Sequence, residues 1–223
     1  MRFCSIKIVI LFLIVVSSGA GAKKFESNYV VKTTGIKIGE FNWLLSTQEN
    51  KYETQIELRD SGLLSSLYSF EGKYLSNGII VEGLFKSEKY SQFWKVKKKQ
   101  KIINIGFNNN LIDIQQNPKE EEMARLDIKV LFNYFDPITS FINILSGAKE
   151  ANTIDGRRIY TMKKNIGATN EKVIITIKNY KNIWADHKRN DLKKIEFELE
   201  KNYLFPKKIK IYFKNRVFNL EKN

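Results

Sequence analysis

The chain has 223 residues, with 38 Lys and Arg against 24 Asp and Glu, a formal charge of +14, one histidine and one cysteine. Hydrophobic residues make up 43% and aromatic residues 13%, enough for a packed core, which excludes a disordered chain. One imidazole and one thiol exclude a His-rich or Cys-ligated metal centre and a disulfide framework, and no cofactor or metal is expected.

Residues 1–22 read as a signal peptide. Arg2 and Lys7 form a positive start, Ile8 to Val16 is a short apolar run, and Ala20-Gly21-Ala22 is a small-x-small cleavage pattern. The apolar run is too short for a comfortable membrane span, so no transmembrane span is expected after cleavage. Cys4 leaves with this segment, and losing Arg2 and Lys7 lowers the +14 to +12. Residues 23–223 then form one domain, without a Pro/Gly/Ser-rich linker or a fixed repeat. A basic surface is compatible with nucleic acid, anionic lipid or an acidic partner. Export from the cytoplasm argues against nucleic acid, and heavy use of Lys, Asn and Ile with scarce Arg reads as the composition of an AT-rich genome.

Strand patterns follow. Tyr29 to Thr34 alternates, Phe41, Trp43 and Leu45 share an apolar face, and Tyr52, Thr54, Ile56 and Leu58 return after a turn at Gln48 to Lys51. Leu63 to Tyr68 fits either a helical turn or a strand. Ser69 to Leu75 and Gly78 to Phe85 are expected to form two strands with a tight turn at Ser76-Asn77-Gly78. Tyr90 to Lys97 and Lys101 to Phe107 form a further hairpin with a solvated lysine-rich tip. Pro118 and Glu120 to Glu122 suit the first turn of a short helix reaching Leu126.

The best-marked helix begins at Asp136. This residue can cap, Pro137 suits the first helical position, and Gly147 can end the helix. Ile138, Phe141, Ile142 and Leu145 form its apolar face, opposite the polar pair Thr139 and Asn143. On this reading Phe141→Ala costs about 3–5 kcal/mol as a core truncation, and Asp136→Ala about 0.5–2 kcal/mol as a lost cap. Ala148 to Thr153 reads as a loop. Strand patterns resume at Arg157 to Met162, Lys172 to Lys178, Ile195 to Leu199, Ile209 to Phe213 and Val217 to Leu220. The expected fold is mainly β, with about ten to twelve strands. They form an antiparallel sheet curled into an open or half barrel, with one or two helices on its concave side.

Catalytic patterns are scarce. His187 lies in a polar stretch without a nucleophile elbow, and Asp136 and Asp155 are explained by local capping. The candidate ligand-binding residues are Trp43, Trp94, Phe141 and Leu145, which would line a hydrophobic pocket if the barrel were hollow.

Five pieces in order carry a resemblance. They are Tyr29 with Gly35-Ile36-Lys37-Ile38-Gly39-Glu40, Glu82-Gly83-Leu84-Phe85-Lys86-Ser87-Glu88-Lys89-Tyr90, and Asp136-Pro137-Ile138-Thr139-Ser140. Asp155-Gly156-Arg157-Arg158-Ile159-Tyr160 and Leu204-Phe205-Pro206-Lys207-Lys208-Ile209 complete the set. The chain resembles the exported bacterial family of domain of unknown function 3108, departing at Phe85-Lys86, where a proline is expected. The resemblance implies a predominantly β protein of the Gram-negative envelope, located in the periplasm, and it implies no catalytic residues. The expected role is non-enzymatic, either binding a lipid or other hydrophobic ligand or assisting envelope assembly with a protein partner. The alternatives are a carboxylate-based hydrolase of an envelope polymer and a purely structural interaction module. N-terminal sequencing of the exported protein is expected to start at Lys23; retention of Met1 would overturn the cleavage reading.

Overall fold

The computed structural model describes residues 21–62, 69–108, 111–166, 171–184, 191–200 and 204–223. The expected signal segment, the ambiguous Leu63 to Tyr68 stretch and His187 lie wholly or mainly outside these residues.

Among the described residues fourteen strands form one sheet. The first half comprises β1 (Lys23–Thr33), β2 (Ile36–Gln48), β3 (Lys51–Asp60), β4 (Phe70–Val81), β5 (Leu84–Val96), β6 (Lys99–Asn108) and β7 (Leu111–Asn117). A single 3-10 turn at Ile128–Val130 precedes β8 (Tyr134–Phe135) and helix α1 (Pro137–Leu145). The second half comprises β9 (Glu150–Ile154), β10 (Arg158–Ile166), β11 (Lys172–Asn182), β12 (Leu192–Glu198), β13 (Lys208–Phe213) and β14 (Arg216–Lys222). The halves join where β1 pairs with β14, and the sheet ends at β7 and at β8. All pairings are antiparallel except β8 with β9. The sheet is therefore large and curled but not closed into a barrel, in line with the expected mainly β architecture.

Alternation decides which face turns inward. Trp43 and Leu45 on β2, Tyr52 and Thr54 on β3, Tyr90 on β5, and Ile103 and Ile105 on β6 are all buried. From the other half, Tyr160, Ile175, Phe197 and Ile209 join the same core. Helix α1 lies inside the curl and touches both halves. Its Phe141 ring meets Trp43 of β2 at 5.6 Å and Phe197 of β12 at 5.4 Å, centroid to centroid.

The structure corrects several sequence expectations. Asn77-Gly78 is not a hairpin turn. Strand β4 runs straight through it with a bulge, and the reversal falls at Glu82-Gly83. Gly78 serves close approach: a Cβ there would collide with the Lys86 carbonyl oxygen of β5. Pairing with β5 thus overrides the local turn signal. The segment after Asn117 forms no α-helix, because its polar groups bond across the chain. Glu120 pairs with Lys101 and Arg157, and the Arg125 amide donates to the Ile183 carbonyl at 2.7 Å. Residues 150–153, expected as part of a loop, belong to β9 (Glu150–Ile154), between the helix and β10.

Strands β12 and β13 pair across the turn that contains Pro206. Glu196 faces Lys210, and Glu198 faces Lys208. The ion pairs run elsewhere, from Glu196 to Lys194 at 2.7 Å and from Lys208 to Glu221 at 3.2 Å. Exposed pairs of this kind contribute little, about 0–1 kcal/mol.

Gly78→Ala is expected to lower the urea midpoint sharply, in the range of about 3 kcal/mol or more, because backbone must move. At Gly106 in β6 a new methyl meets only the Asn108 side chain, in ordinary contact at 3.8 Å, and Gly106→Ala is expected to stay within about 0.5 kcal/mol of the parent. Equal midpoints for the two variants would refute the bulge argument.

Candidate functional site

Helix α1 is buried on every side from Ile138 to Asn143 and on through Ile144. Thr139 and Asn143, expected on a polar outer face, instead point into the sheet. Asp136 is fully buried and its carboxylate collects five donors. Oδ1 accepts the Ile138 and Thr139 amides at 2.9 and 3.0 Å, as a helix cap should. Oδ2 accepts the hydroxyls of Ser76 on β4, Ser87 on β5 and Thr139, at 2.7, 2.6 and 2.6 Å. The Tyr52 hydroxyl donates on to Thr139 at 2.7 Å. Asn143 grips the Phe85 backbone from both sides, accepting from N at 2.9 Å and donating to O at 2.8 Å. Thr153 of β9 bonds Ser140 at 2.8 Å. This network is chemically rich but sealed, so it fixes the helix and meets no substrate.

The four candidate ligand residues separate. Trp43 is 1% exposed and encloses itself between Phe141 and Phe205, the latter at 4.6 Å, with Nε1 donating to Thr54 at 2.8 Å. Phe141 is buried beside it, and Leu145 is half-buried against the same core. Trp94 stands apart, half-buried on β5 opposite Lys101. The rings of Phe41, Phe205 and Phe197 pack around Trp43 and Phe141.

A concavity lies instead where the two ends of the sheet approach. There a cleft of about 560 Å³ opens against β6, β7, Lys119 and Glu120, and Trp184 just after β11. Ile102, Ile114 and Trp184 give it apolar walls, and Asn104, Gln115, Gln116 and Asn117 give it four carboxamides. Its rim is organised by one carbonyl. Gly156, in the β9–β10 turn, accepts from Trp184 Nε1 at 3.0 Å and from Gln116 Nε2 at 3.3 Å. A side chain at Gly156 would run into Ile103 of β6, so the turn seats tightly across the seam. Gln116 Oε1 is buried and has no protein partner. Glu120 is the single carboxylate of the lining, and Lys101 and Arg157 balance its charge.

Asp155 opens the same turn and accepts the Arg157 and Arg158 amides at 2.9 and 2.7 Å. Burial pushes its carboxyl above the usual 3.8, and Arg158, 3.6 Å away, only partly offsets this. Burial also holds the Tyr90 and Tyr160 hydroxyls well above their usual range, so both stay protonated and neutral. No cluster of three metal-ligating side chains occurs among the described residues.

Sequence reasoning singled out none of the cleft residues. Glu120 was hidden in a run that reads as a helix start, and Trp184 in a polar stretch. No local pattern marks Gln116, because its neighbours across the seam are about forty or more residues away.

Fold and site together define an unclosed, helix-filled β-sheet protein with a lateral cleft. The chain matches the family described as Protein of unknown function (DUF3108) over residues 28–184, more than half its length, and belongs to that family. No curated protein matches it. A solved structure is similar, that of a beta-barrel-like protein of domain of unknown function DUF1849 from Brucella abortus. Identity is 10% and the TM-score 0.49, over 89% of this chain and 95% of that one.

Phe141→Ala is expected to cost about 3–5 kcal/mol, as for other buried aromatics. Asp136→Ala is expected to match it, at about 3–5 kcal/mol rather than the cost of a simple cap, because buried hydroxyls and amides lose a charged acceptor. Urea unfolding compares them; an Asp136→Ala loss below about 2 kcal/mol would show an ordinary cap. Asp155 supplies a pH prediction. Its folded-state pKa is raised, so its contribution is complete below pH 3.8 and is lost as pH rises through the folded value. Asp155→Asn keeps an acceptor oxygen and is expected to flatten this part of the stability–pH curve; an unchanged curve would refute the assignment.

Proposed function

We propose that this protein is an exported, non-enzymatic binding protein of the bacterial envelope, acting in the periplasm, and that the seam cleft is its ligand site. The observation that carries this reading is the cleft itself: about 560 Å³, open to solvent, with a fixed tryptophan and convergent polar groups. Its volume falls in the usual range for small-ligand sites. The export part rests on the sequence pattern of residues 1–22.

A binding role is favoured over hydrolysis by the chemistry of the lining. Two-carboxylate glycoside hydrolysis needs a second acid within about 5–10 Å. The cleft lining has Glu120 alone, already tied to Lys101 and Arg157. Interior aromatic residues are less favourable hosts for a hydrophobic ligand, which would have to displace the Trp43 and Phe141 side chains from each other.

Native mass spectrometry after incubation with aqueous and organic envelope fractions tests the reading. The parent protein is expected to retain a bound species that Asn104→Trp, an exposed substitution in the cleft, loses without a change in melting temperature. No adduct from either fraction, or an adduct retained equally by Asn104→Trp, would overturn it.

A further inference from the structure

We infer that the ligand of the seam cleft is a saccharide, an inference that rests on the cleft being the binding site. Six of the nine lining residues are polar, and four of these are carboxamides: Asn104, Gln115, Gln116 and Asn117. A carboxamide offers a donor and an acceptor side by side. Sugar hydroxyls are donor and acceptor at once, so they match carboxamides: Asn104, Gln115 and Asn117 share one face of β6 and β7, and Gln116 lies on the other. An acyl chain makes no such bonds and would leave desolvated amides unpaired, which is costly.

Gln116 sharpens the case. Its Nε2 is committed to the Gly156 carbonyl, which sets the amide orientation and leaves Oε1 buried without a partner. Buried acceptors of this kind are almost always satisfied. Oε1 accepts only from a donor, a requirement that a sugar hydroxyl meets and an acyl chain does not. Trp184 supplies the complementary apolar surface. Its Nε1 bond to the same carbonyl locks the indole, so little side-chain entropy is lost when a ring stacks on it. Glu120 adds an acceptor whose charge Lys101 and Arg157 already balance. It can receive hydroxyls without calling for a cationic ligand.

The test presents the purified protein to an array of soluble neutral and anionic oligosaccharides, including fragments of bacterial cell-wall glycan. Phosphatidylethanolamine–phosphatidylglycerol vesicles serve as the lipid probe. At least one oligosaccharide is expected to bind, with affinity about tenfold or more weaker in both Trp184→Ala and Gln116→Leu. Gln115→Ala, an exposed change, provides a cleft variant with an undisturbed Gly156 anchor and is expected to weaken binding as well. Vesicle binding or an organic-phase adduct lost in Asn104→Trp, without oligosaccharide binding, would overturn the saccharide and leave the cleft in place. Oligosaccharide binding that none of the cleft variants weakens would overturn both, and no binding to any probe would overturn the saccharide.

Discussion

The fold depends on one buried charge. Asp136 sits at the foot of α1 with no exposure, and a carboxylate there is tolerable only because five donors surround it. Two donors come from the helix backbone, one from the helix hydroxyl Thr139, and two from hydroxyls of β4 and β5. The same group therefore begins the helix and attaches it to the sheet. Asn143, about two helical turns further on, repeats the arrangement by clasping the Phe85 backbone. A helix held by oils alone can slide or rotate against its sheet. Directional bonds at both Asp136 and Asn143 leave a single register.

Placing the helix inside the curl has a consequence for the rest of the sheet. Phe141 reaches Trp43 on one half and Phe197 on the other, so the helix ties the two halves together across the middle. Fourteen strands wrapped round such a plug do not need to close. A closed barrel removes its edges by pairing the first and last strands. Here β7 and β8 end the sheet, and side chains and loops span the interval. Gln116 and Trp184 meet on the Gly156 carbonyl, Glu120 joins Lys101 to Arg157, and the Arg125 amide reaches Ile183. A seam built from side chains is less dense than one built from a ladder. The cleft is the space that this difference leaves.

The chemistry of the molecule divides accordingly. Its strongest hydrogen-bond network, round Asp136, is sealed from solvent and serves architecture. Its deep tyrosines, Tyr90 and Tyr160, are kept neutral by burial. Open polar groups gather in the cleft, where amides rather than paired acids or a nucleophile dominate. That distribution is why the proposed function rests on the cleft and not on the aromatic interior.

What the sequence by itself determined was local. Period-two alternation marked most strands, and Asp136, Pro137 and Gly147 bounded the helix with Gly147 at φ +114°. Such signals survive because caps and alternation act between residues a few positions apart. Tertiary structure decided everything that depended on distant neighbours. Asn77-Gly78 became a bulge because β5 approaches it, and Glu120 left its helix pattern because Lys101 and Arg157 lie across the seam. Thr139 and Asn143 turned inward because hydroxyls and a strand backbone waited there. The cleft was invisible for the same reason: Gln116, Gly156 and Trp184 meet only after the whole sheet has curled, and no spacing along the chain encodes a contact made by curvature.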